Sequence, residues 1–258
     1  MTVLAASGRV WQRNWLVYRR LWHRSLAFGF LQPVLFLTAM GLGLGALIGT
    51  DTAAFGGFEY IDWLGPGLLA ATGMQTATFE STYPIMNKIM WGRNYEAMLS
   101  TPLGIRHIVI GELGWSAFRI GTLAAVFLVV LTLFGVVRSP LAVLAIPFAI
   151  LIGLAFSACL IAFTATQKND VGFSAIFRFV INPLFLFSGT FFPLTNLPEP
   201  LQAVAWATPL FHGVELIRGS ILDQLDPVTA PLHLAYLVVM FAIGALLAER
   251  TLTRRMAG

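Results

Sequence analysis

Residues 80–112 read ESTYPIMNKIMWGRNYEAMLSTPLGIRHIVIGE, and this stretch decides how the rest of the chain is read. It holds Lys88, Arg93, Glu96, Arg106 and His107, and it lies between two long apolar runs. Almost everything else from Ser25 to Ala248 has the character of sequence that sits in lipid. The chain has kept one helix-forming polar segment of substance. Such a segment is what a membrane channel would offer to a soluble motor.

Composition sets the class. Hydrophobic residues make up 57% of the 258 residues and charged residues 11%, against about 25% charged in an average soluble domain. Mean hydropathy is +0.79. A bilayer core about 30 Å thick takes roughly 20 apolar residues per helix, so the chain holds about six spans and no separate soluble catalytic domain. The expected fold is an all-α integral membrane protein with six transmembrane helices, preceded by an N-terminal interfacial amphipathic helix. The expected spans are about 26–48, 63–82, 108–136, 141–166, 171–191 and 232–248. In the first, Gly41 and Gly45 stand at the small-xxx-small spacing of close helix packing.

Residues 1–24 are read as a helix lying on the cytoplasmic membrane surface, ahead of a membrane domain at 25–258. Trp11, Trp15, Tyr18 and Trp22 recur at i, i+4, i+7 and i+11 and share one face, with Arg9, Arg13, Arg20 and Arg24 opposite. An aromatic stripe backed by arginines is the pattern of an interfacial anchor in contact with membrane lipids. Charge sets the orientation. The basic residues crowd into the N-terminal helix, the 80–112 segment, the turn at Lys168 and the tail with Arg250, Arg254 and Arg255. An excess of Lys and Arg marks the cytoplasm, so both termini are expected there, in a multi-pass protein of the cell membrane. The basic pI of 9.6 reflects this anchoring and implies no nucleic-acid partner.

The segment about 192–222 is too patterned for a loop. Asn196 and then Thr208–Pro209 read as helix starts. Two short amphipathic helices, a two-part re-entrant segment between spans five and six, fit better than a structureless connection of this length.

Absences narrow the chemistry. The two lysines, Lys88 and Lys168, sit in no GxxxxGK[ST] loop, and there is no HExxH or GxSxG. The chain is therefore expected to be no enzyme, with no catalytic residue and no metal site. Its four histidines pair with nothing by spacing, and Cys159 reads as a small buried apolar residue. Glu80, Glu112, Arg119 and Arg178 lie within or at the edges of spans, where ionisable groups are costly and face a bundle interior or a wet path. They form either a charged vestibule on the translocation path or structural pairs between helices. A membrane-embedded lipid-linked transferase would need clustered carboxylates at one membrane face, and these are scattered. An ion-driven secondary transporter would want a mid-membrane carboxylate, which spans one, four and six lack.

The stretch NPLFLFSGTFFPLTNLPEPLQAVAWATPLFHGVELIRG at 182–219 resembles the C-terminal signature of ABC-2 type transporter permeases. The ATFES run at 77–81, the YEAMLSTPL run at 95–103 and the GEL at 111–113 resemble the nodulation-factor and oligosaccharide exporter branch. The resemblance implies a permease that works with two copies of an ABC ATP-binding subunit and with a second permease subunit, identical or related. ATP and magnesium would sit on the ATPase, and this chain would bind no cofactor. It also implies export of an amphipathic or lipid-linked saccharide, lipid or drug. The segment about 87–102 then corresponds to the coupling helix, with Arg93, Tyr95, Glu96, Met98 and Leu99 as ATPase contacts. The residues agree to this extent: Tyr95, Met98 and Leu99 form an i, i+3, i+4 apolar anchor set.

Overall fold

The structure, a computed structural model, describes residues 3–20, 22, 31, 33–48 and 55–257. Those residues form helices and no strand. Helix α1 spans Val3–Tyr18. Helix α2 covers 33–48, with a π-helical stretch at Leu37–Leu44 and an α-helical end at Gly45–Ile48. Helix α3 spans Tyr60–Ser81. The polar stretch follows as α4 over 83–91, whose second half Asn87–Trp91 is π-helical, and α5 at Asn94–Leu99. Helix α6 spans Ile105–Leu133. A 3-10 turn at Pro140–Leu144 opens α7, Ala145–Thr166. Helix α8 covers Val171–Phe187, with a π-helical stretch at Phe177–Ile181. Helices α9, Glu199–Trp206, and α10, Pro209–Ile221, precede the last helix, α11, at Ala230–Ala257.

Among the described residues, α6, α7 with its opening turn, and α11 are long and apolar enough to cross a membrane; α8 is a shorter apolar helix. At 29 residues, α6 is about 43 Å long at 1.5 Å per residue, beyond the thickness of the hydrocarbon core. The charge-free α7 is the centre of the packing and touches α3, α6 and α11. Its buried face is small, with Ala145, Ala149, Ala155, Ala158 and Gly153, so its neighbours approach closely. Helix α2 crosses α3 at Gly41, where a Cβ would come within 2.9 Å of the Ile61 side chain, as the small-residue spacing predicts.

Two elements differ from expectation. The last helix begins at Ala230 and runs through Arg250, Arg254 and Arg255 to Ala257, because Leu252 on its final turns is buried and Met256 packs against the same core. The segment read as one coupling helix over 87–102 is two short helices. It breaks at Gly92–Arg93, where Arg93 adopts a left-handed φ of 46°. The reading of residues 23–30, the start of the first expected span, lies outside the described residues, as does that of Arg24.

Candidate functional site

A separate hydrophobic cluster closes one end of the bundle. It joins Val10 of α1, Ile85 and Ile89 of α4, Tyr95 of α5, Ile108, Val109 and Leu113 of α6, Ala165 of α7 and Leu252 of α11. At its heart is a buried polar knot. Glu112 Oε2 accepts from Lys88 Nζ at 2.6 Å and from Asn14 Nδ2 at 3.0 Å. Lys88 and Glu112 are 8% and 3% exposed. Buried charges persist when they are paired and hydrogen-bonded, and a third donor from α1 adds to the pair. Glu112 thus ties the polar segment and α1 to α6.

Of the five residues expected to contact an ATPase, Tyr95 turns inward. It is 1% exposed, and burial, followed by the Glu112 charge, pushes its phenol well above its ordinary value. Its place in an outward contact set is corrected accordingly: its apolar neighbours are the core, and it fastens α5 from within. Arg93 and Glu96 point outward, their side chains 75% and 52% exposed, and pair with each other at 3.5 Å. Met98 and Leu99 are half-buried beside them. Trp91, which the sequence reading passed over, is 61% exposed at the same break. An exposed tryptophan next to a left-handed Arg93 is the strongest surface feature of this segment.

The aromatic stripe of α1 is not turned only to lipid. Trp11 and Trp15 stack at 5.8 Å. Trp11 meets Trp115 and Phe118 of α6 edge-on at 6.1 and 5.6 Å, and Tyr18 meets Trp115 at 5.5 Å. The interfacial-anchor reading is corrected to this extent: most of the stripe packs on the chain's own α6. Trp15 and Trp22 keep 36% and 41% exposure. The helices meet this closely because residue 111 is glycine, where a Cβ would lie 2.6 Å from Val10 Cβ and 2.9 Å from Ser7 O. The four span-edge charges also sort themselves. Arg119 pairs with Glu80 at 3.2 Å and lies 4.7 Å from the centre of the Tyr18 ring. Glu112 takes Lys88. Arg178 is exposed on the π-helical part of α8, without an ion pair among the described residues.

The opposite end has its own polar ties. Arg138 pairs with Asp62 at 3.0 Å, and its backbone N–H donates to Ile221 O at 2.9 Å. Arg218 of α10 is buried. It pairs with Glu215, donates to Gly189 O at 2.7 Å and Trp63 O at 3.3 Å, and lies 3.7 Å from the centre of the Trp63 ring. A cleft of about 570 Å³ opens here between α9, α10 and the 189–195 loop, lined by Trp63, Glu199, Gln202, Trp206 and Phe211 among others. The two histidines nearest the cleft, His212 and His233, face each other with Nδ1 atoms 2.7 Å apart. Spacing could not reveal that pair, since a separation of 21 residues matches no helical or hairpin repeat.

Residues 7–222 match the ABC-2 type transporter family. The chain belongs to the ABC-2 type transporter family. It is 32% identical over 250 residues to Nodulation protein J of Rhizobium leguminosarum bv. viciae, covering 95% of this chain and 94% of that one. It is 30% identical over 247 residues to Nodulation protein J of Sinorhizobium fredii, at 96% and 92% coverage. It is 24% identical over 221 residues to the inner membrane transport permease YadH of Escherichia coli, at 84% and 83%. The chain is thus a multi-pass membrane permease of this family. The family match ends at Leu222, so it takes in the polar knot, the exposed break at Trp91–Glu96 and the Arg218 tie, and leaves out α11.

Proposed function

We propose that this chain is the membrane permease of an ABC exporter and that its α4–α5 segment receives the push of a separate ATPase. The observation that carries the reading is the two-sidedness of that segment. Its inner side is fixed to the bundle by Lys88–Glu112 and Tyr95, and its outer side presents Trp91, Arg93 and Glu96. A lever must be held firmly on one side and exposed on the other. The end that carries α1, α4–α5 and the arginine-rich end of α11 is cytoplasmic in this reading, by the excess of basic residues. Six spans cross the bilayer, with α3 as the second and α8 as the fifth, and α9–α10 re-enter from outside. Two ATPase copies would carry ATP and magnesium, and a second permease subunit, identical or related, would complete the pathway.

The cargo is an amphipathic or lipid-linked molecule (saccharide, lipid or drug) moved outward. The relative named as an inner membrane transport permease supports transport itself, and the cargo class follows from the resemblance to the oligosaccharide exporter branch. Differential affinity of the ATPase pair for two permease states drives the change. Of the four span-edge charges, Arg178 is the one exposed to meet an anionic head group; Glu80, Arg119 and Glu112 hold the helices that move. The test has two parts. A tagged chain purified in mild detergent should bring down a soluble subunit with a Walker A motif; recovery of the chain alone in several detergents overturns the reading. Glu96→Arg, and Met98 and Leu99 together to Ala, should leave insertion intact and cut transport by tenfold or more while ATP hydrolysis continues. Transport at the unaltered rate in both variants would remove α5 from the coupling role.

A further inference from the structure

The outer end of the bundle contains a titratable pair that the transport reading does not use. His212 lies in the second turn of α10 and His233 in the first turn of α11, and both are buried, at 0% and 7% exposure. Their Nδ1 atoms are 2.7 Å apart and their ring centres 4.9 Å. Tyr236, one turn along α11 from His233, stacks on His212 at 4.0 Å and donates its O–H to Ala207 O at 2.7 Å. One face of α11 therefore holds the junction between α9 and α10 by two polar hooks. The far end of α10 is held differently, by Arg218 on Gly189 and Trp63. Release of the hooks would free the junction while the far end stays pinned.

Proton count decides what the histidine hook can bear. Two Nδ1 atoms at 2.7 Å share one hydrogen and have no room for two. The neutral pair satisfies this, and so does a pair with one added proton on an outer nitrogen. A second added proton puts N–H against N–H and two like charges in one buried site, and the contact must open. The groups that face the pair are few. Trp206 and Phe211 present rings to it, and the charges felt by His233 are Glu215 of α10 and Asp226 of the preceding loop. Helix α7, which packs on both α10 and α11, carries no charged residue. Burial, and then the His233 charge, hold His212 down to about 4, so the second proton arrives only near that pH. The two carboxylates cannot relieve the N–H to N–H clash it brings. The nearby Asp226 is exposed in the loop before α11 and holds that loop through Val228 N and Thr229 Oγ1, which places the pair within a few residues of the outer surface.

We propose that the His212–His233 pair is a proton-operated latch that locks the α9–α10 segment onto α11 at neutral pH and releases it in an acidic exterior. The outward placement of the pair and its consequence for cargo exit rest on the transport reading; the opening of the contact is a local structural event. The test is hydrogen–deuterium exchange on the full chain in lipid nanodiscs at about pH 7.5 and about pH 4, where the second proton binds, with rates corrected for the intrinsic effect of pH. Peptides covering 199–213 should exchange at least tenfold faster at the lower pH, while peptides covering 214–221, pinned by Arg218, change little. His233→Phe keeps a ring in the site without the second titration, and it should abolish the pH response. Equal corrected exchange at the two pH values overturns the latch, as does an unchanged response in His233→Phe. Should that variant misfold, the wild-type comparison alone decides. Because exchange is read without ATPase or cargo, failure of the latch leaves the transport reading standing, and loss of the ATPase partner leaves the latch intact.

Discussion

Glu112 shows how one residue can set the behaviour of a whole end of the molecule. Its Oε2 accepts from Lys88 and Asn14, and its Oε1 is buried with no hydrogen-bond partner among the described residues. A carboxylate in that position is stable only while its cation stays. Lys88→Ala should therefore destabilise the chain by about 3–5 kcal/mol, since it leaves an uncompensated buried charge. The double change Lys88→Met with Glu112→Leu should recover part of that loss, because both charges are gone while the buried Asn14 amide loses its acceptor. Thermal unfolding of the purified chain in detergent measures both. If Lys88→Ala unfolds like the parent, the pair carries no structural weight. The pairing itself was not legible from sequence. Lys88 and Glu112 stand 24 residues apart, and a broken helix, a turn and the start of α6 lie between them. What the sequence did offer was scarcity: an ionisable residue at a membrane edge must find a partner, and Glu80 with Arg119 answers that expectation directly.

At the scale of elements, α1 and α6 show why a pattern can be read correctly and its surroundings misjudged. The 3.6-residue period of Trp11, Trp15 and Tyr18 is plain in the sequence and the helix is where the period puts it. The same stripe suits a headgroup layer and a neighbouring helix equally well, because both reward large rings with a polar tip. The deciding feature is Gly111, whose missing side chain lets α1 settle against α6. Gly111→Val should push α1 away. Limited proteolysis should then cut within 3–18 at a rate several-fold above the parent's, and Gly111→Ala should show a smaller increase. Equal cleavage of all three proteins would mean that α1 is not seated by this contact. The polar segment over 83–99 has a similar history. Its polarity was readable, whereas the break at Arg93 was not, since a left-handed arginine has no propensity signal. The break is what separates an inward Tyr95 from an outward Arg93 and Glu96.

For the whole molecule, the two ends differ in how their charges are used. The α1–α4–α5 end carries an ion-paired knot inside and a broad basic surface outside, with Arg9, Arg19, Arg20 and Arg250 exposed. The α9–α10 end ties its charges to backbone carbonyls and to one another, through Arg218 and Arg138. In the proposed topology these two ends lie at opposite faces of a membrane, and the signals behind it, the order of apolar runs and the basic bias, are each summed over many residues. The histidine pair and the cleft depend on a few contacts between distant segments, and summed signals do not reach them. The orientation can be tested with the single cysteine removed as Cys159→Ala and one cysteine returned at a time. Val228 is 81% exposed in the loop before α11, and Lys168 lies in the turn between α7 and α8. Val228→Cys should react with a membrane-impermeant maleimide on intact cells. Lys168→Cys should react only after the membrane is opened. The reverse pattern would invert the molecule, place the Trp91–Glu96 surface outside, and deprive it of any cytoplasmic motor.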